Sequence, residues 1–159
     1  MPIRVIPVVL GQPRANGTND FAGRPPVTYV HIAPDPRNNS LPTHNGKSYA
    51  ALIDTGGEDI AIDSAAAQEI GAQAEYPATV HVMGKSLQTR GIDIQIIFPS
   101  CGLVYRARAA ILDFRGAGNK WDLLLGRSFL QKCRLRLDGP KGLYQLEWID
   151  QPSDIDPTK

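Results

Sequence analysis

Two cysteines, three histidines and no surplus of either charge set the first limits on this sequence. For Cys101 and Cys133, in a chain where no export signal is expected, the reading is small buried hydrophobes and no structural disulfide. His31, His44 and His81 are scattered, and with so few cysteines no zinc spacing can be assembled; neither a metal nor a cofactor is expected. Seventeen basic and sixteen acidic side chains leave a net charge of +1. That balance gives no electrostatic case for nucleic acid or an anionic membrane as partner. Apolar runs fall far short of the ~20 residues needed to span a bilayer. The first residues carry one basic group, Arg4, and an apolar run broken by Pro7, with no small-residue cleavage site. A secretory signal is therefore not expected, and the location implied is cytoplasmic.

What the chain has in plenty is turn formers. Its 159 residues suffice for one domain with a proper core. Thirteen prolines and fifteen glycines punctuate short alternating apolar runs, which predicts an all-β protein with one or two short helices. Residues 4–10 read as a first strand, at an edge because Pro7 cannot donate to a ladder. Residues 11–26 carry no periodicity and read as a long loop or arm. Strands are expected over 27–32 and 47–53, joined by an exposed loop rich in Pro, Asn and Asp. Asp63 or Ser64 can cap a short helix over 65–70, which Gly71 can end in the left-handed conformation. Residues 79–88 read as a hairpin turning near Met83, Gly84 and Lys85. Two-residue alternation follows over 92–96 and 103–109, where Arg106 and Arg108 make a solvated face. Over 133–137, Cys133, Leu135 and Leu137 share one face against Arg134 and Arg136. A turn over 138–142 returns the chain as 143–148. The acidic, proline-containing tail 150–159 is expected to be disordered. The organisation predicted is an N-terminal strand and arm (1–26), one domain (27–149) and a tail (150–159).

The chemistry is concentrated in Asp54-Thr55-Gly56, which follows the apolar run of residues 50–53. Such a tripeptide arises by chance in roughly 3 of 100 chains of this length, so its weight depends on context. That context is the segment 121–127, in which Leu124, Leu125 and Gly126 run into Arg127 and a short helical stretch over 128–131. In this pairing the chain resembles the retropepsins, the single-domain aspartic proteases of retroviruses and their cellular and bacterial relatives. The resemblance covers roughly residues 27–148. It implies a closed acid-protease barrel, a homodimer, and hydrolysis of peptide bonds in extended polypeptides.

Metal-free peptide hydrolysis needs one group to activate water and another to protonate the departing amide. Two carboxyls close together can do both, because like charges that close cannot both ionise and the pair shares a proton. This chain supplies one carboxylate in that context, so a complete site requires Asp54 from two copies about a two-fold axis. The resemblance assigns the catalytic loop to Asp54, Thr55 and Gly56, with the Thr55 hydroxyl bonding across the dimer. Gly57, Glu58 and Asp59 are then expected to bind substrate main chain, with Arg127 pairing an acid among them and Leu124, Leu125 and Gly126 as structural support. The family usually has Ala at the position of Gly57 and Asp at that of Glu58. Residues 80–87 fall where a flap is expected, with one tip glycine, a short stiff turn, and Val82, Met83 and Gly84 lining the cleft. His81 is read as a surface residue of that flap. Because family members build an inter-subunit sheet from their ends, residues 4–10 and 143–148 are the expected interface strands.

Two other readings compete. One is a catalytically inactive dimeric module of the same fold that binds peptides or proteins, which has no need to keep Asp, Thr and Gly together. The other is a small β-barrel with a chance motif, which would have neither dimer nor cleft.

Overall fold

The computed structural model describes residues 3–13, 15–36, 43–73 and 76–149. The expected tail, the outer part of the 33–46 loop, and the first two residues lie outside these. Among the described residues strands predominate, with two short helices. In order these are β1 (Ile3–Pro7), β2 (Val9–Leu10), β3 (Pro26–Pro34), β4 (Tyr49–Ile53), β5 (Ile60–Asp63), α1 (Ser64–Glu69), β6 (Tyr76–Val82), β7 (Lys85–Phe98), β8 (Leu103–Leu112), β9 (Leu123–Leu125), α2 (Arg127–Leu130), β10 (Cys133–Asp138) and β11 (Leu143–Ile149). No helix among them is long and apolar enough to cross a membrane.

The larger sheet has eight strands in the order β2-β3-β4-β9-β5-β8-β7-β6, and β3 pairs with β7 as well. The path from β3 through β4, β9, β5, β8 and β7 thus returns to β3, whose first half meets β4 and whose second half meets β7. Most of the pairs are antiparallel, but β4 runs parallel to β9, and β5 parallel to β8. Residues of β4, β5 and β9 are buried on both faces. The run from Tyr49 to Ile53 is accordingly apolar throughout instead of alternating.

The smaller sheet has the order β1-β11-β10. As expected of a proline-bearing strand, β1 lies at its edge. β11, which carries one of the two expected interface strands, lies in the middle of this sheet. β11 pairs with β1 over 145–149 and with β10 over 143–148, and the Val8 amide reaches the Tyr144 carbonyl, so its hydrogen-bonding groups are used within the chain. Among the described residues the outer strands of this sheet are β1 and β10. On the face that Cys133, Leu135 and Leu137 share along β10, Cys133 and Leu135 pack on the core while Leu137, paired with Tyr144 near the turn, is 49% exposed. Both cysteines are free, as expected of small hydrophobes, and burial pushes the Cys133 thiol up to about 12.

An aromatic cluster ties the two sheets and α2 together. Phe129 stacks on Trp148 at 5.4 Å between ring centres and on Phe98 at 5.4 Å, and Tyr105 meets both Phe129 and Trp148 edge-on. Burying Phe129 contributes about 1.5–3 kcal/mol by area alone, which anchors the four-residue helix α2 that propensity could not hold.

A second anchor is polar, and its extent is absent from the sequence reading. Asp63 is fully buried and caps α1, accepting from the amides of Ala65 and Ala66 with one oxygen and of Phe114 and Arg115 with the other. Arg115 then donates to Asp122 at 2.9 Å and to Glu69 at 2.7 Å. Asp122 in turn accepts from the Ala50 amide at the head of β4. The network fastens α1, the loop after β8 and the strand pair β4–β9 to one another.

Candidate active site

Asp54 follows directly on β4, and its place is set by β9. The parallel register Ile53↔Leu125 carries one step further, so that the Asp54 amide donates to the Leu125 carbonyl at 3.1 Å. The two segments singled out in the sequence are thereby joined through main-chain bonds. The loop then turns tightly: Gly57 donates to the Asp54 carbonyl at 3.3 Å, and the Gly56 amide donates to Asp54 Oδ1 at 2.9 Å. This is an Asx-type turn that fixes the carboxylate relative to its own loop.

Glycine at 57 keeps space for that carboxylate. A Cβ there would lie 2.9 Å from Asp54 Oδ2 and 3.2 Å from the Leu124 side chain. At Gly126 the requirement is stricter, since a Cβ would run into the Asp59 carbonyl oxygen, the Asp59 amide and the Glu58 carbonyl carbon. The close approach allows the start of α2 to bond the loop: Arg127 and Ser128 donate their amides to the carbonyls of Gly57 and Glu58 at 2.8 and 2.9 Å.

Arg127 acts on the same loop through its side chain. Its Nη1 donates to the carbonyls of Thr55 and Gly56 at 3.1 and 3.0 Å, and its Nη2 lies 3.8 Å from Glu58 Oε1. The last pair is exposed on both sides and adds little by itself. The two carbonyl bonds matter more, because they hold outward-facing main-chain groups that the tight turn leaves without ladder partners.

Above the loop stands the β6–β7 hairpin. Its register, Val82↔Lys85, leaves Met83 and Gly84 as a two-residue turn, and both have positive φ, 49° and 77°. That is the signature of a tight turn matched to strand twist, usually filled by Asn-Gly. Between hairpin and loop lies a cleft of about 390 Å³ lined by Asp54, Gly56, Gly57, Glu58 and Asp59 below and by Val80, His81, Val82 and Met83 above. Its walls come from Ile60, Ala61, Ala110, Leu112, Phe114 and Leu124.

The structure thus gathers most of the residues singled out in the sequence, but not all. Thr55 and Gly84 do not line the cleft; Leu125 and Gly126 lie behind the loop as support. His81 does line it, and Ser86 Oγ lies 3.2 Å from its Nδ1. The wall from β5 and the end of β8 was missed, although residues 109–112 are as apolar as a strand end over a cleft should be.

No protein-family model matches the chain, and no curated protein matches it. A solved structure does: the retropepsin-like aspartic protease from Rickettsia conorii superposes over 92% of this chain and 92% of that chain, with a TM-score of 0.53 and 18% identity. The fold is retropepsin-like. At that identity the likeness is one of fold alone. EIAV protease complexed with the inhibitor HBY-793 matches over 67% of this chain and 86% of its own at a TM-score of 0.47 and 21% identity. The retroviral protease-like domain of Ddi1 from Leishmania major matches over 74% and 86%, at 0.36 and 11%. Scores this low leave the assignment resting on the Rickettsia conorii structure. In this chain the Asp54 loop and the β6–β7 hairpin face each other across the cleft.

Proposed function

We propose that this protein is an aspartic endopeptidase that hydrolyses peptide bonds in extended polypeptides as a homodimer. The observation that carries the reading is the placement of Asp54: a carboxylate on a loop braced by Leu125 and Arg127, at the floor of a cleft roofed by a hairpin. The strand path that returns to β3 is read in the same way, as the closed barrel of such an enzyme.

One carboxylate cannot serve as acid and base at once, so the reading requires a second copy of Asp54. With one proton shared, the ionised carboxylate takes a proton from water as its oxygen attacks the amide carbon. The protonated partner gives its proton to the substrate's carbonyl oxygen. The resulting diol collapses with a proton delivered to nitrogen, and the C–N bond breaks. Since β11 is flanked on both sides, an inter-subunit sheet must add at the outer side of β1 or β10.

The test is cleavage of a peptide library by the purified protein beside Asp54→Asn. The substitution keeps shape and removes the shared-proton pair, so cleavage should vanish while fold and dimer persist. Adding Asp54→Asn to wild type should also depress activity through mixed dimers. Cleavage by Asp54→Asn above a few per cent of wild type would sink the reading. Peptide binding without cleavage by wild type would favour the inactive module instead.

A further inference from the structure

Asp54 follows β4, a short strand on a shorter partner: its ladder with β9 runs only from Ala51↔Leu123 to Ile53↔Leu125. Parallel bonds are slanted and slightly weaker per residue than antiparallel ones. The β3 ladder on the other side aligns β4 with the rest of the larger sheet, but not with β9. The tail of β4 is tied to β9 by the Asp54 amide on the Leu125 carbonyl. Its head is held by Asp122, which directly precedes β9.

Asp122 closes around one residue of β4. Its amide donates to the Ala50 carbonyl at 2.9 Å, and its Oδ2 accepts from the Ala50 amide at 2.9 Å. Its carbonyl accepts from the Asp63 amide at 2.8 Å, and its Oδ1 accepts from Arg115 Nε at 2.9 Å. Every polar group of Asp122 is thus committed, to three separate segments. A carboxylate offers two acceptor oxygens for this, where the amide of Asn offers one. Arg115 is fixed in turn, since its Nη1 donates to Glu69 at 2.7 Å and its Nε lies 3.6 Å from the fully buried Asp63 carboxylate. Ala50 stands four residues before Asp54, about 13 Å away along an extended strand.

We propose that Asp122, held by Arg115, is a positioning residue that sets how far Asp54 projects from β4 toward the Asp54 of a second copy. The inference rests on the two-copy reading of the site. A shared proton requires the two carboxyls to lie about 3 Å apart. A slip of β4 along β9 in each copy adds across the two-fold axis, and a misplacement of about 1 Å costs on the order of 100-fold in rate. The Gly56 and Arg127 bonds shape the loop itself; Asp122 sets the strand that carries it.

The experiment uses the full chain with isotope-labelled aspartate, the Asp54 carboxyl signals being assigned by difference from Asp54→Asn. Carboxyl titration by NMR, cleavage kinetics against pH and thermal unfolding are measured for wild type, Asp122→Asn, Arg115→Gln and Glu69→Gln. Coupled carboxyls titrate in two separated steps, and the separation shrinks as the groups move apart. In Asp122→Asn the two Asp54 steps should draw together, and kcat should fall roughly tenfold or more with KM little changed. Arg115→Gln should move the steps the same way, which keeps the test available if Asp122→Asn does not fold. Glu69→Gln leaves the Arg115 bond to Asp122 in place, so it should lower stability with the Asp54 steps unmoved. Glu58, Asp59 and His81 also line the cleft beside Asp54, and Arg127 grips its loop, but all four are the same in every variant. Steps unmoved in whichever of Asp122→Asn and Arg115→Gln folds reduce Asp122 to a structural role and overturn the proposal. Steps that move as much in Glu69→Gln overturn it too, as general loosening. Steps that move as expected in a protein that cleaves no peptide sustain the positioning and sink the endopeptidase reading; cleavage with unmoved steps does the reverse. An Asp54 that titrates as a lone carboxyl overturns both.

Discussion

Gly126 is pressed against Asp59 so closely that a methyl group in place of its hydrogen would lie 2.9 Å from the Asp59 amide nitrogen and nearer still to its carbonyl oxygen. Both obstacles are main chain, so no rotamer change relieves them. Gly126→Ala should therefore cost about 1–3 kcal/mol by overpacking. The α2 start would also move away from the loop, loosening the Arg127 and Ser128 amide bonds to Gly57 and Glu58. Thermal unfolding and peptide cleavage should fall together. Unchanged stability in this variant would mean that the loop and α2 are not packed as described.

Stability at low pH should follow Glu69. The Arg115 guanidinium, with Tyr49 and Lys47 behind it, holds the Glu69 carboxyl down to about 2 from its ordinary 4.5. A carboxylate whose folded value is depressed stabilises the fold above the unfolded value and loses that contribution as pH falls through the folded one. The protein should therefore weaken between about pH 4.5 and 2, and Glu69→Gln should flatten that part of the profile. Melting temperatures measured at half-unit steps decide this; parallel profiles for the two proteins would remove Glu69 from the account.

The hairpin roof carries a residue in the wrong conformation for its type. Met83 has φ 49° and is 98% exposed, so it pays the left-handed cost without burying its side chain. Asn tolerates that region and is the usual partner of Gly in this turn. Met83→Asn should raise the protection of the hairpin amides against hydrogen exchange, by a factor corresponding to up to about 1 kcal/mol. If a substrate leans on Met83, the same variant should raise KM with kcat little changed. Weaker protection in Met83→Asn would contradict the turn geometry.

Turnover should trace a bell in pH. Under the proposed mechanism activity needs the singly protonated carboxyl pair, whose two limbs are macroscopic properties of the pair. On the acid side the base is lost; on the alkaline side the shared proton is lost. Apposed carboxyls raise the second ionisation, which puts the optimum in the acidic range with decline towards neutral pH. A pepstatin-type inhibitor, whose hydroxyl mimics the diol, should bind best over the same range. An alkaline optimum with sensitivity to a serine-directed reagent would exclude the Asp54 mechanism.

Local pattern alone determined a good deal. The alternation of β7 and β8, the Asp63 cap, the Gly71 stop at φ 74° and the turn at Met83 and Gly84 are all decided within a few residues, where steric and hydrogen-bonding rules act directly. The catalytic-type loop and its supporting Leu124-Leu125-Gly126 segment were legible as motifs. What the tertiary structure decided is everything that depends on distance along the chain. That β11 is closed on both sides follows from β1 returning to it, which no strand-forming pattern announces. That Arg115 binds Glu69 and Asp122 over a buried Asp63 follows from the packing of α1 beside β5 and β8. That β5 and β8 wall the cleft follows from the parallel pairing of segments far apart, and that His81 faces it follows from where the antiparallel β6–β7 hairpin lies over the Asp54 loop. A sequence records which side chains can be buried or charged; only closure of the chain on itself fixes which of them meet, because contact energies between remote segments carry no local signature.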